Sequence, residues 1–100
     1  MSSPAKQFLF MNSSINWDIK IDDAFYKHIR PIPRADGKRI VDIIEDPAFD
    51  PYSGDIRKVK GEDRVWARRI GEYRIFYEIY QATRMVNIFE IERKTSRTYK

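Results

Sequence analysis

Residues 65–80, Val-Trp-Ala-Arg-Arg-Ile-Gly-Glu-Tyr-Arg-Ile-Phe-Tyr-Glu-Ile-Tyr, decide the fold of this chain. On both sides of Gly71-Glu72 the side chains follow a period of two, which is typical of β-strands. The glycine-containing pair fits a tight turn between antiparallel strands. We therefore predict a hairpin with strands at 65–70 and 73–80. Aromatic residues occur at both parities, so alternation alone does not indicate which face meets the rest of the protein.

The remaining chain predicts an α+β domain. In chain order, we expect a strand at 15–21 and then a helix through Ala24, Phe25, Tyr26 and Ile29, with Asp22 and Asp23 offering its N-cap and acidic first turn. A second helix from Arg34 to Asp46 and strands at 56–59 and 85–93 follow. Pro31, Pro33 and Pro47 end the two helices. This order favours helices packed on one face of an antiparallel sheet of three or four strands, preceded by the N-terminal strand. Residues 1–14 form a polar tail, and 15–100 form the single domain.

On the last strand, Arg93 alternates in step with Ile91, Phe89 and Asn87, which predicts that these four share a face.

Composition excludes several classes of protein. The 100 residues are 42% hydrophobic and 14% aromatic, too apolar for a disordered chain. There is no cysteine and one histidine, His28, so thiol chemistry and histidine pairs are absent. No stretch has the length of a membrane span, and a cytoplasmic location is expected. Residues 55–100 hold 12 Lys/Arg and 7 Asp/Glu, whereas residues 1–54 hold 7 and 8. A basic half suits a polyphosphate partner or a merely solvated surface.

The chemistry available to the chain is that of arginine, lysine and tyrosine. No phosphate-binding glycine loop, metal-ligand cluster or serine-hydrolase motif is present, and no cofactor is expected. Guanidinium groups donate paired hydrogen bonds to phosphate, and aromatic faces stack on unpaired bases. Trp66, Tyr73 and Phe76 lie among the basic residues, either as base platforms or as ordinary core. Glu90 and Glu92 are expected to pair with Arg68, Arg69 or Arg93.

The stretch Lys58-Val-Lys-Gly61 followed by Gly71-Glu-Tyr-Arg74, with Arg93 and Tyr99 later, resembles the RelE/ParE superfamily of toxins, which act in toxin–antitoxin pairs. The resemblance covers residues 15–100, and within the superfamily the chain is most similar to the messenger-RNA-cleaving RelE branch. It implies an endoribonuclease that needs no metal and cuts mRNA on the ribosome. It also implies a cognate antitoxin wrapped over the sheet and the first helices. His28 and the apolar side of the first helix are expected to pack in the core, with the antitoxin contact as the alternative.

The resemblance further implies the site residues. Arg74, Arg93 and Arg69 match family arginines that stabilise charge on the attacked phosphate, and Tyr99 matches the tyrosine that moves a proton. The RNA-binding residues expected around them are Lys58, Lys60, Arg64, Arg68, Lys94 and Arg97.

Two residues depart from the family pattern. Ala67 stands where many members have a second basic residue, and Glu92 stands where numerous members have histidine. Glu92 is expected to form an ion pair, with a role as general base as the alternative. Ala67 keeps open a non-catalytic module that binds RNA or an antitoxin. The other alternative is a ParE-like inhibitor of DNA gyrase, against which Arg93 and Tyr99 argue, because such toxins generally lack this full set.

Overall fold

The computed structural model describes residues 17–93. Its elements are β1 (Asp18–Ile21), α1 (Asp23–Ile29), α2 (Arg34–Glu45), β2 (Ile56–Lys58), β3 (Val65–Ile70), β4 (Tyr73–Tyr80) and β5 (Met85–Arg93). The predicted α+β arrangement is confirmed, with β3, β4 and β5 ending at the predicted residues. The predicted tail, residues 1–14, lies outside the described part of the chain.

The five strands form one sheet in the order β1-β5-β4-β3-β2. Strands β2 to β5 pair with antiparallel neighbours, whereas β1 pairs with β5 in parallel. The sheet thus has one strand more than the predicted antiparallel set, because the N-terminal strand joins its edge. Within residues 17–93, neither helix is long and apolar enough to cross a membrane.

Helix boundaries follow the prolines and the caps. Asp22 occupies the cap position of α1 in an extended conformation, but its side chain makes no capping hydrogen bond. Pro33 precedes α2 and supplies its cap position with φ −49°. Helix α2 ends at Glu45, one residue earlier than predicted, because Asp46 turns to an extended conformation ahead of Pro47.

The hydrophobic core lies on one face of the sheet, under the helices. Phe25 from α1 and Ile40 and Ile44 from α2 are fully or almost fully buried there. The strands contribute a row of buried side chains from the same face, Ile70, Tyr73, Ile75, Tyr77, Ile79, Val86, Ile88 and Ile91. The faces that alternation left undecided are thereby assigned: Tyr73, Ile75, Tyr77 and Ile79 of β4 face the core.

The alternation predicted for β5 is wrong across its middle. Phe76 pairs with Glu90 and Tyr77 pairs with Ile88, so the register shifts by one residue and β5 contains an extra residue at this point. As a result Ile91 lies on the core face, whereas Asn87 lies opposite Glu78 on the other face. A bulge of this kind leaves no mark in an alternating sequence.

The β3–β4 turn depends on Gly71. Ile70 pairs with Tyr73, which leaves Gly71 and Glu72 as the two turn residues. Gly71 has φ 62°, a left-handed conformation that glycine adopts without steric cost. The turn fixes the register between β3 and β4 and hence which side chains lie opposite each other.

Candidate functional site

The sheet face opposite the core, here called the open face, carries a cluster of three arginines. Arg69 on β3 lies directly opposite Arg74 on β4, and Arg57 on β2 lies directly opposite Ala67 on β3. Arg57 and Arg69 are exposed and Arg74 is half-buried. Together with Asp55, Ile56 and Ala67, these arginines line a depression of about 50 Å³. We call Arg57, Arg69 and Arg74 the arginine cluster.

Within residues 17–93, no member of the arginine cluster forms an ion pair with a carboxylate. Arg69 Nε donates to the carbonyl of Gly71, at 3.2 Å. Like charges placed directly opposite on a sheet destabilise it, so the pair of Arg69 and Arg74 gains from a bound anion. The strand register places these arginines side by side, an arrangement that can stabilise negative charge developing on a substrate.

Carboxylates of the open face lie beside the cluster. Glu92 on β5 lies directly opposite Arg74, and Asp55 borders the depression. The ion pairs predicted for Glu90 and Glu92 are wrong within the described residues. Glu90 instead contacts Nδ1 of His28 on α1 at 2.9 Å, and Glu92 forms no ion pair there. The His28 side chain is 49% exposed, so its predicted packing in the core is also wrong.

Arg93 lies at the same end of the sheet but on its core side. It is directly opposite Tyr73, and its Cζ atom is 5.7 Å from the centre of the Tyr73 ring. Its Nη2 donates to Glu72 Oε1 at 2.9 Å, and this hydrogen bond raises the pKa of the Arg93 guanidinium. Arg74 and Arg93 therefore project from opposite faces of the sheet, around the turn that contains Gly71 and Glu72.

Two of the three aromatic residues considered as platforms for RNA bases, Trp66 and Tyr73, lie on the core side of the sheet. Burial, followed by a 2.8 Å hydrogen bond to Asp36, raises the pKa of Tyr73, which therefore keeps its proton at neutral pH. Trp66 is half-buried, with its ring centre 5.8 Å from that of Tyr52. Phe76 differs, because it is half-buried on the open face, directly opposite Ala67. It is the candidate platform nearest the arginine cluster.

The predicted RNA-binding residues are spread over several surfaces. Arg68 points to the core side, with Cζ 5.4 Å from the centre of the Phe49 ring. Lys58 Nζ donates to the carbonyl of Glu62 at 2.7 Å and so stabilises the β2–β3 turn, which also contains the exposed Lys60. Arg64 lies over the ring of Tyr80 at 5.0 Å, at the end of the sheet away from Gly71. Lys94, Arg97 and Tyr99 lie outside the described residues.

The sequence of this chain matches a known protein family. The family model of the ParE toxin of type II toxin–antitoxin systems, parDE, matches residues 15–97. This chain belongs to that family. It is thus a toxin of the RelE/ParE superfamily, which confirms the resemblance found in its sequence.

Three similar proteins resemble the toxin over most of their own length. RelE1 of Methanocaldococcus jannaschii is 26% identical over 83 residues, which cover 80% of this chain and 92% of that protein. The toxin of a RelB–RelE complex from Methanococcus jannaschii has a TM-score of 0.60 at 26% identity, covering 74% of this chain and 88% of the other. The RelBE2 complex of Mycobacterium tuberculosis contains a chain with a TM-score of 0.69 at 16% identity, covering 80% and 93%.

Sequence reasoning missed Arg57 as a site residue of the toxin. It named Arg69 and Arg74 through the family resemblance, and the two-residue turn of the predicted hairpin places them opposite each other. Strand β2 has three residues and joins β3 through a longer turn, so its register could not be read from the sequence. That register places Arg57 beside the other two arginines.

Proposed function

We propose that this toxin is a ribosome-dependent endoribonuclease that cleaves messenger RNA. The observation that carries the proposal is the pair of Arg69 and Arg74, which face each other on the open face with no carboxylate partner among the described residues. Two guanidiniums on neighbouring strands suit a phosphodiester, because each can donate two parallel hydrogen bonds to phosphate oxygens. Phe76 beside them offers a face for an unstacked base.

The proposed reaction needs no cofactor. The 2′-hydroxyl oxygen of one nucleotide attacks its own 3′-phosphate, and the bond between phosphorus and the 5′-oxygen of the next nucleotide breaks. The 2′-hydroxyl loses its proton to a base, and the leaving 5′-oxygen gains one. The products are a 2′,3′-cyclic phosphate and a free 5′-hydroxyl. Negative charge grows on the phosphate in the transition state, and fixed cations stabilise it there more than in the ground state.

The proposed site residues have three roles, which are phosphate binding, proton transfer and RNA contact. Arg69 and Arg74 hold the phosphate, and Arg93 approaches it from beyond the Gly71-Glu72 turn. The ion pair of Arg93 with Glu72 is exposed and therefore weak, so an arriving phosphate can replace Glu72. Tyr99 moves the proton, with Glu92 as an alternative base because it lies opposite Arg74. Lys60, Lys94 and Arg97 contact the RNA on either side of the cut.

The proposed partners are the ribosome with its mRNA, in the cytoplasm, and a cognate antitoxin. Support for the antitoxin comes from the similar structures, which are toxin–antitoxin complexes. An acidic antitoxin segment would match the positive charge of the arginine cluster and compete with RNA for the open face. The toxin would then be inactive while the antitoxin is bound.

A second candidate function is inhibition of DNA gyrase. It is favoured by the match to the ParE family model and by Ala67, where a basic residue is common in the RNA-cleaving branch. A gyrase inhibitor would not need the arginine cluster for phosphate chemistry, so the two candidates make opposite predictions for cleavage.

The experiment adds the purified protein to a cell-free translation reaction and maps mRNA ends by primer extension, beside a gyrase supercoiling assay. We expect new mRNA ends that require ribosomes and are absent with Arg93→Ala, and unchanged supercoiling. No cuts from a folded protein, together with inhibited supercoiling, would replace this proposal with gyrase inhibition. No effect in either assay would indicate a non-catalytic binding module.

A further inference from the structure

Arg57 occupies the place on the open face that Ala67 leaves vacant. It lies in the middle of β2, directly opposite Ala67, and both border the depression shared with Arg69 and Arg74. Ala67 is only 4% exposed although it faces away from the core, so neighbouring side chains cover it. A short side chain at position 67 leaves room for the long side chain of the adjacent strand.

Nothing else in the described residues accounts for the position of Arg57. Its guanidinium forms no ion pair and no hydrogen bond within residues 17–93. Asp55 borders the depression, but it uses its backbone carbonyl, which accepts from the Arg69 amide at 2.9 Å, and it pairs with none of the three arginines. Three guanidiniums beside two carboxylates, Asp55 and Glu92, leave a net positive charge that attracts an anion.

The depression is small, with a volume of about 50 Å³. Its lining is mainly polar, with the guanidiniums of three different strands around it. A small polar depression lined by three arginines suits a phosphate group, because each guanidinium can donate paired hydrogen bonds to phosphate oxygens.

We propose that Arg57 is a phosphate-binding residue of the toxin, which supplies from β2 the cation that Ala67 does not supply from β3. Its ligand is the same RNA phosphate that Arg69 and Arg74 bind, so the inference rests on the proposed function for the identity of that ligand. Arg57 thereby makes the site of this toxin a three-strand site. The departure at position 67 is a relocation of charge and not a loss.

The test measures binding of a fluorescein-labelled 2′-O-methyl RNA of roughly ten nucleotides, which cannot be cleaved because its 2′-oxygen is blocked. Affinity is followed by fluorescence anisotropy over a series of salt concentrations for wild type, Arg57→Gln, Arg74→Gln and the double variant. Arg30→Gln is the matched control, because Arg30 is an exposed arginine at the end of α1. Circular dichroism verifies that each variant is folded.

We expect Arg57→Gln to weaken binding about tenfold at low salt. The slope of log affinity against log salt should fall by about 0.7, the value for one lost phosphate contact on a single strand. Arg57 and Arg74 should also be coupled, so that the double variant loses less than the product of the single losses.

Three results would overturn the inference. In the first, Arg57→Gln has the same affinity and salt slope as Arg30→Gln. In the second, the loss of affinity in the double variant equals the product of the losses in Arg57→Gln and Arg74→Gln, so the two residues are not coupled. Failure of the wild-type protein to bind the oligonucleotide at low salt would also contradict it. Cleavage on the ribosome is judged by its own assay, so failure of this inference and failure of the proposed function remain distinguishable.

Discussion

Two glycines of this toxin differ in what an added methyl group would do. At Gly71, φ is 62° and an added Cβ would meet only the Arg39 guanidinium at 3.8 Å, so backbone strain is the sole obstacle. At Gly37, inside α2, an added Cβ would make ordinary contact with Ile29 at 3.6 Å. We expect Gly71→Ala to lower the free energy of unfolding by about 1–2 kcal/mol and Gly37→Ala to raise it by about 0.4–1 kcal/mol. Urea denaturation of both variants measures this, and equal effects of the same sign would refute the assignment.

The Tyr77 hydroxyl links the core to the loop before β2. It donates to the carbonyl of Pro51 at 2.7 Å, and burial raises the pKa of Tyr77 to about 12. Because an unfolded tyrosine has a pKa of about 10, the folded state holds this proton more tightly. Its contribution to stability is fully present below pH 10 and is lost as the pH rises through 12.

We therefore expect Tyr77→Phe to cost about 1 kcal/mol of unfolding free energy at neutral pH, through the lost hydrogen bond. The variant should also lose stability less steeply than the wild type between pH 10 and 12. Denaturation curves across this range provide the measurement, with Tyr26→Phe as control, because Tyr26 is 42% exposed. The same pH slope in Tyr77→Phe and wild type would show that Tyr77 does not dominate it.

Single residues of the site were predictable only where local geometry fixed their neighbours. Arg69 and Arg74 could be placed together because two turn residues separate their strands. Arg68 has the same charge and adjacent position, yet it packs over Phe49 on the core side. Its side is set by parity along β3, and the sequence did not indicate which parity faces the helices.

At the scale of elements, repulsion between arginines on neighbouring strands is expected to lower the free energy of unfolding by a measurable amount. Arg69 on β3 and Arg74 on β4 place like charges directly opposite each other. We expect Arg69→Gln to raise the free energy of unfolding by about 0.5 kcal/mol at low salt, because cross-strand repulsion is relieved. The gain should shrink as salt screens the charges, which thermal denaturation at several ionic strengths can follow. A gain that does not depend on salt would assign the effect to strand propensity.

The elements themselves were predicted well, and their pairing less so. Strong alternation and the Gly71-Glu72 turn located β3 and β4 to the residue. The bulge in β5 and the register of β2 depend on partners that lie far away in the chain, so local sequence holds no signal for them. These two features decide that Arg57 joins the arginine cluster and that Asn87 and Ile91 lie on opposite faces.

For the molecule as a whole, the order of elements was enough to predict the helices on one sheet face. The parallel pairing of β1 with β5 was not predicted, because it results from the path of the chain across both helices and back through the sheet. This path places the hydrophobic core and the arginine cluster on opposite faces of the sheet. One side of the sheet supports the fold, and the other offers the charge that the proposed function requires.

The most direct test of this account compares Arg74→Gln with Arg30→Gln in the translation reaction, by the rate at which new mRNA ends appear. Arg74 belongs to the arginine cluster, whereas Arg30 lies at the end of α1. We predict that Arg74→Gln slows cutting by about 100-fold or more, as expected when a fixed donor to the transition state is removed, and that Arg30→Gln cuts at the wild-type rate. Equal cutting by the two folded variants would contradict the assignment of the open face as the catalytic surface.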